Sequence, residues 1–327
     1  MNWEGSIRVV KAIAGTALLA VAGFLAGACA GLGSTQGAAG PLPGGSPVDA
    51  DAKARMFWTV SSSQGGTAYV QGTMHLGSDE LYPFAPAVLE SLKKADLVLA
   101  ELSSADMDRG NGLVLNRMAE AILEGGKILG DYLGEDEIAF LENYMGKEAY
   151  RRLAPFRPWV AYSTLDVYAA GKAGLDPTRG VDIALYAAAA EYGKSVAGLE
   201  SAESQLDILT GPPLSTQILI LKDAIREYRE YPSAIADLYK SYLRDDRRRL
   251  ARQLDDSLAR TKAWSTPVAD FNDSLLAKRN ALWAGRLSAL LEQGRTVFVF
   301  AGVAHFLGAG NVLELLEKQG YKVRANP

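Results

Sequence analysis

Short strand-like runs alternate with helix-periodic segments along this chain, and that alternation constrains its fold more than any other feature. MFWTVSS and TAYVQGT, separated by SQGG, form a hairpin pattern of β-branched and aromatic residues around a glycine-rich turn. DLVLAELS and SVAGLE read as further strands, ending in the acids Glu101 and Glu200. RTVFVFAG is another, followed by the helix NVLELLEKQG and the short strand YKVRA. Helical patterns lie between them. PFAPAVLESLKKA carries Val88, Leu92 and Ala95 on one stripe, and LVLNRMAEAILEGG, EDEIAFLENYM, PWVAYSTLDVYAAGKAG and GVDIALYAAAAEYGK follow. From about Leu214 to Leu291 the pattern is almost wholly helical. The expected fold is α/β: a mixed sheet covered by helices, with a mostly helical insertion before the last βαβ unit.

The first fifty residues stand apart from this pattern. Arg8 and Lys11 precede the short apolar run AIAGTALLAVAGFL and then AGAC, the three-part pattern of an export signal over residues 1–28. Cys29, the only cysteine, sits at the expected cut as in a bacterial lipobox, although Ala26 stands where Leu or Val is usual. The expectation is a cell-envelope protein anchored to the membrane by lipid on Cys29. Residues 29–50, rich in Gly, Ser and Pro, read as a flexible tether, and residues 51–327 as the folded domain.

A hydrophobic fraction of 48% supplies ample core. One cysteine excludes an internal disulfide framework and any multi-cysteine metal site. The formal charge of −4 gives no reason to expect nucleic acid as a partner. Arg247, Arg248 and Arg249 form a basic run, but Asp245, Asp246, Asp255 and Asp256 interleave with it, which reads as a solvated helix face.

The chain has two histidines, and both share one local setting. His75 ends Gly72-Thr-Met-His and His305 ends Gly302-Val-Ala-His; each follows a strand-like run and precedes a hydrophobic residue and a glycine. Ligands of open α/β sheets bind outside the carboxyl ends of the strands, where His75, Glu101, Glu200 and His305 all fall. Two imidazoles and a carboxylate make a common three-ligand set for a catalytic metal. The same groups can act without metal, one histidine serving as base and an acid orienting it. No G-x-S-x-G elbow is present, which disfavours a serine hydrolase.

GTMHLGSDELYPFAPAVLESLKKADLVLAELS, GVDIALYAAAAEYGKSVAGLESAESQLDIL and LLAKRNALWAGRLSALLEQGRTVFVFAGVAHFLGAGNVLELLEKQGYKV together resemble the TraB/GumN family, which includes the Tiki metalloproteases. The resemblance runs from about Phe57 to Val323. It rests on the two G-x-x-H motifs (Gly72 to His75, Gly302 to His305), Glu101, the GLE ending at Glu200 and the pair Arg279-Asn280. It implies a fold akin to erythromycin esterase and haem-binding ChaN-type proteins. It also implies a metal-dependent hydrolase of peptides or proteins, with a divalent Zn, Mn, Co or Fe ion on His75, Glu101 and His305. Glu200 is then an orienter or general base, Arg279 a clamp for an oxyanion or a substrate carboxylate, and Asn280 a support. Two alternatives stand beside this reading: a non-catalytic binder of haem or iron, and a metal-free hydrolase of esterase type.

Overall fold

The computed structural model describes residues 53–326; the expected export signal, the expected tether and Cys29 lie outside the described residues. The hairpin forms where its β-branched and aromatic residues stand, as β1 (Phe57–Ser61) against β2 (Thr67–Thr73), with Trp58 opposite Val70. β3 (Leu97–Ala100), β4 (Val196–Gly198), β5 (Thr296–Gly302) and β6 (Lys322–Ala325) complete one six-stranded sheet in the order β4-β3-β5-β2-β1-β6. The β4–β3, β3–β5 and β5–β2 pairs are parallel, whereas β1 runs antiparallel to both β2 and β6. The sheet is therefore mixed, as the patterning predicts. Six consecutive residues of β5 are buried, so both of its faces are covered, which a central parallel strand requires. β6, at the edge, is largely exposed.

The helices occupy the periodic segments. In chain order they are α1 (Pro86–Lys94), α2 (Ser104–Ala119), α3 (Glu135–Met145), α4 (Lys147–Leu153), α5 (Pro158–Lys172), α6 (Val181–Glu191) and α7 (Ala202–Thr210). The helical stretch holds α8 (Leu214–Glu230), α9 (Ala234–Leu243), α10 (Arg247–Trp264), α11 (Thr266–Leu275) and α12 (Ala277–Glu292), and α13 (Val312–Lys318) lies between β5 and β6. Their starts carry chemical punctuation. Ser103, Ser201 and Asn311 accept a backbone N–H two or three residues into the first turns of α2, α7 and α13, and Pro86 and Pro158 open α1 and α5. No helix among the described residues is long and apolar enough to cross a membrane.

Two expectations need correction. LVLNRMAEAILEGG is helical only as far as Ala119; Ile122 is held outside the helix by its bridge to Phe156, and Gly125 and Gly126, at positive φ, keep the rest of the segment from continuing as a helix. The mixed charge run is also more than a solvated face. Asp245 accepts the Met56 N–H at 2.7 Å, and Asp255 accepts the Ala309 N–H at 2.9 Å. Arg247 pairs with Asp245, donates to the Asn326 carbonyl and lies over the Trp58 ring. These charges fasten the helical stretch to the strand ends, a use that mixed-sign composition does not reveal.

Candidate functional site

Four parallel neighbours place four chemical groups along one sheet edge. Glu200 lies two residues past β4, Glu101 directly past β3, His305 three residues past β5 and His75 two residues past β2. Strand order therefore lines them up as Glu200, Glu101, His305, His75, although the chain visits them in a different order. Gly72 lets β2 and the turn after β5 close together: a Cβ on it would stand 2.8 Å from Val303 Cγ2 and 3.3 Å from Val303 Cα. Gly302 turns its N–H onto Glu101 Oε1 at 2.8 Å.

Glu101 is the hub. Its Oε2 accepts from Arg279 Nη2 at 2.7 Å and from Gln205 Nε2 at 2.9 Å, while His75 Nε2 stands 3.9 Å from its Oε1. Arg279 also binds Glu200 through Nε and Nη2, and its Nη1 donates to the Leu275 carbonyl at 2.9 Å. Gln205 donates to both glutamates, so one amide and one guanidinium bridge the pair. The guanidinium lies 4.7 Å from the Trp283 ring centre, and that ring sits 4.2 Å from the His305 ring. On the residue after Arg279, Asn280 Oδ1 faces His305 Nδ1 at 2.6 Å while its Nδ2 donates to the Gly310 carbonyl. Helix α12 thus serves a carboxylate and an imidazole with consecutive residues.

Burial sets the electrostatics. His75, Glu101, Arg279 and His305 are each no more than 3% exposed, whereas the Glu200 side chain keeps 10% of its surface in solvent. Burial alone would push the Glu101 carboxyl up. The Arg279 charge outweighs it, helped by His305, His75 and the Gly302 N–H, and holds the carboxyl down at about 2. Glu200 moves the other way: burial raises its carboxyl, and Arg279, shared with Glu101, offsets only part of that. One guanidinium between two carboxylates favours the one with additional donors. Burial would lower the His75 ring, but the Asp182 carboxylate, with Glu101, raises it.

Every site residue singled out in the sequence, apart from Cys29, lies at this edge or supports it. Asp182 was not foreseen. It sits in the first turn of α6, 2% exposed, with Oδ1 3.3 Å from His75 Nδ1. An acid in a first helical turn ordinarily answers the helix dipole, so GVD carried no distinguishing signal. Gln205 and Trp283 were also missed, as uncharged residues within amphipathic helices. A groove of about 760 Å³ adjoins the site in the chain, with Ser201, next to Glu200, and Lys278, next to Arg279, on its walls.

Among the described residues, no three His, Cys, Asp or Glu side chains are spaced to hold a metal ion, so the expected His75, Glu101 and His305 set is not drawn together as a coordination shell. The donor chemistry nevertheless suits one. His75 Nε2 is buried without a hydrogen bond, while Nδ1 has the Asp182 carboxylate beside it. Two ligands on a single ion, at ~2.0–2.2 Å each, stand no more than about 4.3 Å apart, and His75 Nε2 and Glu101 Oε1 meet that limit.

Comparisons with known proteins agree with the motifs. The chain is 27% identical over 274 residues to an uncharacterized protein of Treponema pallidum, covering 82% of this chain and 81% of that one. It is 26% identical over 247 residues to the uncharacterized protein YbaP of Escherichia coli, covering 75% and 86%. Metalloprotease TIKI2 of Danio rerio is 26% identical over 167 residues, which is 45% of this chain and 32% of that protein. No solved structure matches. The model of the TraB/PrgY/gumN family matches residues 56–325, nearly the whole described body and every motif at the sheet edge, and the chain belongs to that family.

Proposed function

We propose that this protein is a cell-envelope, metal-dependent hydrolase of peptides or proteins, with the erythromycin-esterase/ChaN-like arrangement that its family resemblance implies. The observation that carries the reading is the buried His75 Nε2, which has no hydrogen-bond partner and faces the Glu101 carboxylate at 3.9 Å. The relation to a protein named as a metalloprotease supports it. His75, Glu101 and His305 would hold the divalent ion (Zn, Mn, Co or Fe), which when bound supplies Lewis acidity to the scissile carbonyl and to water. Arg279 keeps Glu101 ionised and in place for that task. Glu200, whose carboxyl is raised by burial and remains partly exposed, takes and returns the proton. Export, with a lipid anchor at Cys29, places the enzyme at a membrane surface.

A second reading, a metal-free hydrolase, is favoured by Asp182, because a carboxylate beside His75 Nδ1 also suits a histidine acting as base. One assay separates the two. Peptide hydrolysis is followed before and after chelation, with return of single metals, for the wild type, His75→Ala, His305→Ala and the double variant. Each single change should lower the rate by ~10²–10⁴, and the double should be little worse, because groups acting together are not additive. Hydrolysis that survives chelation but not His75→Ala selects the metal-free reading. Hydrolysis indifferent to both histidines rejects the site altogether.

A further inference from the structure

We propose that Asp182 is a positioning residue, and that the two histidines are held in the same Nδ1–H tautomer by unlike partners, Asp182 for His75 and Asn280 for His305. For His305 the direction follows from donor counting. Asn280 Nδ2 donates to the Gly310 carbonyl at 3.1 Å, and a carbonyl accepts only from the nitrogen side of an amide. The amide is therefore oriented, and the atom 2.6 Å from His305 Nδ1 is an oxygen that can only accept. His305 Nδ1 carries the hydrogen, and Nε2 is the basic nitrogen.

For His75 the argument is electrostatic. Both Asp182 oxygens are buried with no hydrogen-bond donor, which is costly for a carboxylate. Oδ1 stands 3.3 Å from His75 Nδ1. A ring lone pair aimed at that oxygen would set two electron pairs against each other, whereas an N–H there gives the acid its donor after a small rotation of the ring. The backbone is built for this approach. The Val181 N–H donates to the Met74 carbonyl at 2.9 Å, pinning the start of α6 to the residue before His75. Gly180 permits the closeness, since a Cβ there would lie 2.7 Å from the His75 carbonyl oxygen and 3.0 Å from Asp182 Oδ1. With Nδ1 protonated, the nitrogen that faces Glu101 is the unprotonated Nε2, the form in which imidazole binds a metal or accepts a proton.

The role of Asp182 in catalysis rests on the proposed hydrolase, but the tautomer does not, and the test keeps them apart. The chain has two histidines, so a long-range ¹H–¹⁵N spectrum of histidine-labelled protein shows few ring signals and both tautomers can be read. The spectrum is taken above the titration of both rings. Both histidines are expected as Nδ1–H in the wild type. Asp182→Ala should release His75 to the Nε2–H form or a mixture and leave His305 unchanged, and Asn280→Ala should do the reverse. Metal affinity, measured with cobalt(II) by its visible absorption, should fall roughly ten- to hundredfold in Asp182→Ala. A wild-type His75 in the Nε2–H form would falsify the proposal whether or not any variant folds. A His75 pattern that persists in Asp182→Ala would overturn it equally. Absence of peptidase activity in the wild type would reject the hydrolase reading and leave the tautomer assignment to the spectrum.

Discussion

Replacing Arg279 with methionine removes the cation that joins two carboxylates at a buried sheet edge. Glu101 is 2% exposed, yet its carboxyl is held at about 2 against an ordinary 4.5. That net difference, in which Arg279, His305, His75 and the Gly302 N–H together outweigh burial, corresponds to about 3 kcal/mol in favour of the charged form. Deleting one partner of a buried ion pair costs roughly 3–5 kcal/mol. Urea unfolding at pH 7, followed by circular dichroism, should show a loss of about 3 kcal/mol for Arg279→Met. The pH dependence discriminates further. In the wild type the folded Glu101 carboxyl lies below its unfolded value, so its stabilisation is present above 4.5 and is lost only as pH falls towards 2. Between pH 7 and 5 it is constant. In the variant the desolvated carboxyls have folded values above the unfolded one, so folding takes up protons and becomes more favourable as pH falls. Glu200, already raised by burial, leads. The gap between the two proteins should therefore narrow from pH 7 to pH 5, and adding Glu101→Gln to the variant should recover part of the loss. A gap below about 1 kcal/mol at pH 7, or one that widens at pH 5, would refute the view that Arg279 compensates a desolvated pair.

Two further outcomes can be checked directly. Gly72→Ala would force a Cβ to within 2.8 Å of Val303, at the turn that carries His305, and should cost about 1–3 kcal/mol in urea unfolding together with much of the activity; an unchanged unfolding midpoint would show that Val303 yields freely. Cys29→Ser should abolish incorporation of labelled fatty acid and release the protein from membranes, and a wild type that takes up no label would end the lipid-anchor reading.

Much of the site was legible because it stands where strands end. The apolar runs before Gly72, Glu101, Glu200 and Gly302 are strands, and parallel strands bring their carboxyl ends to one edge whatever the distance between them in the chain. Local chemistry wrote the strands, the helical periodicity and the paired G-x-x-H turns. Periodicity could not state the order of the strands, and that order decides which groups meet: β5, late in the chain, slots between β3 and β2, so Gly302 reaches Glu101. Nor could it find Asp182, whose approach to His75 depends on α6 being pinned to Met74, just past β2, through Val181 and the bare Gly180. The same holds for Arg279. The sequence placed a cation beside an asparagine on a helix, but only packing commits that cation to two carboxylates and its neighbour to an imidazole. A one-dimensional pattern specifies which face of each element is buried, while contacts between elements far apart in the chain arise from how those faces stack, which no single segment encodes.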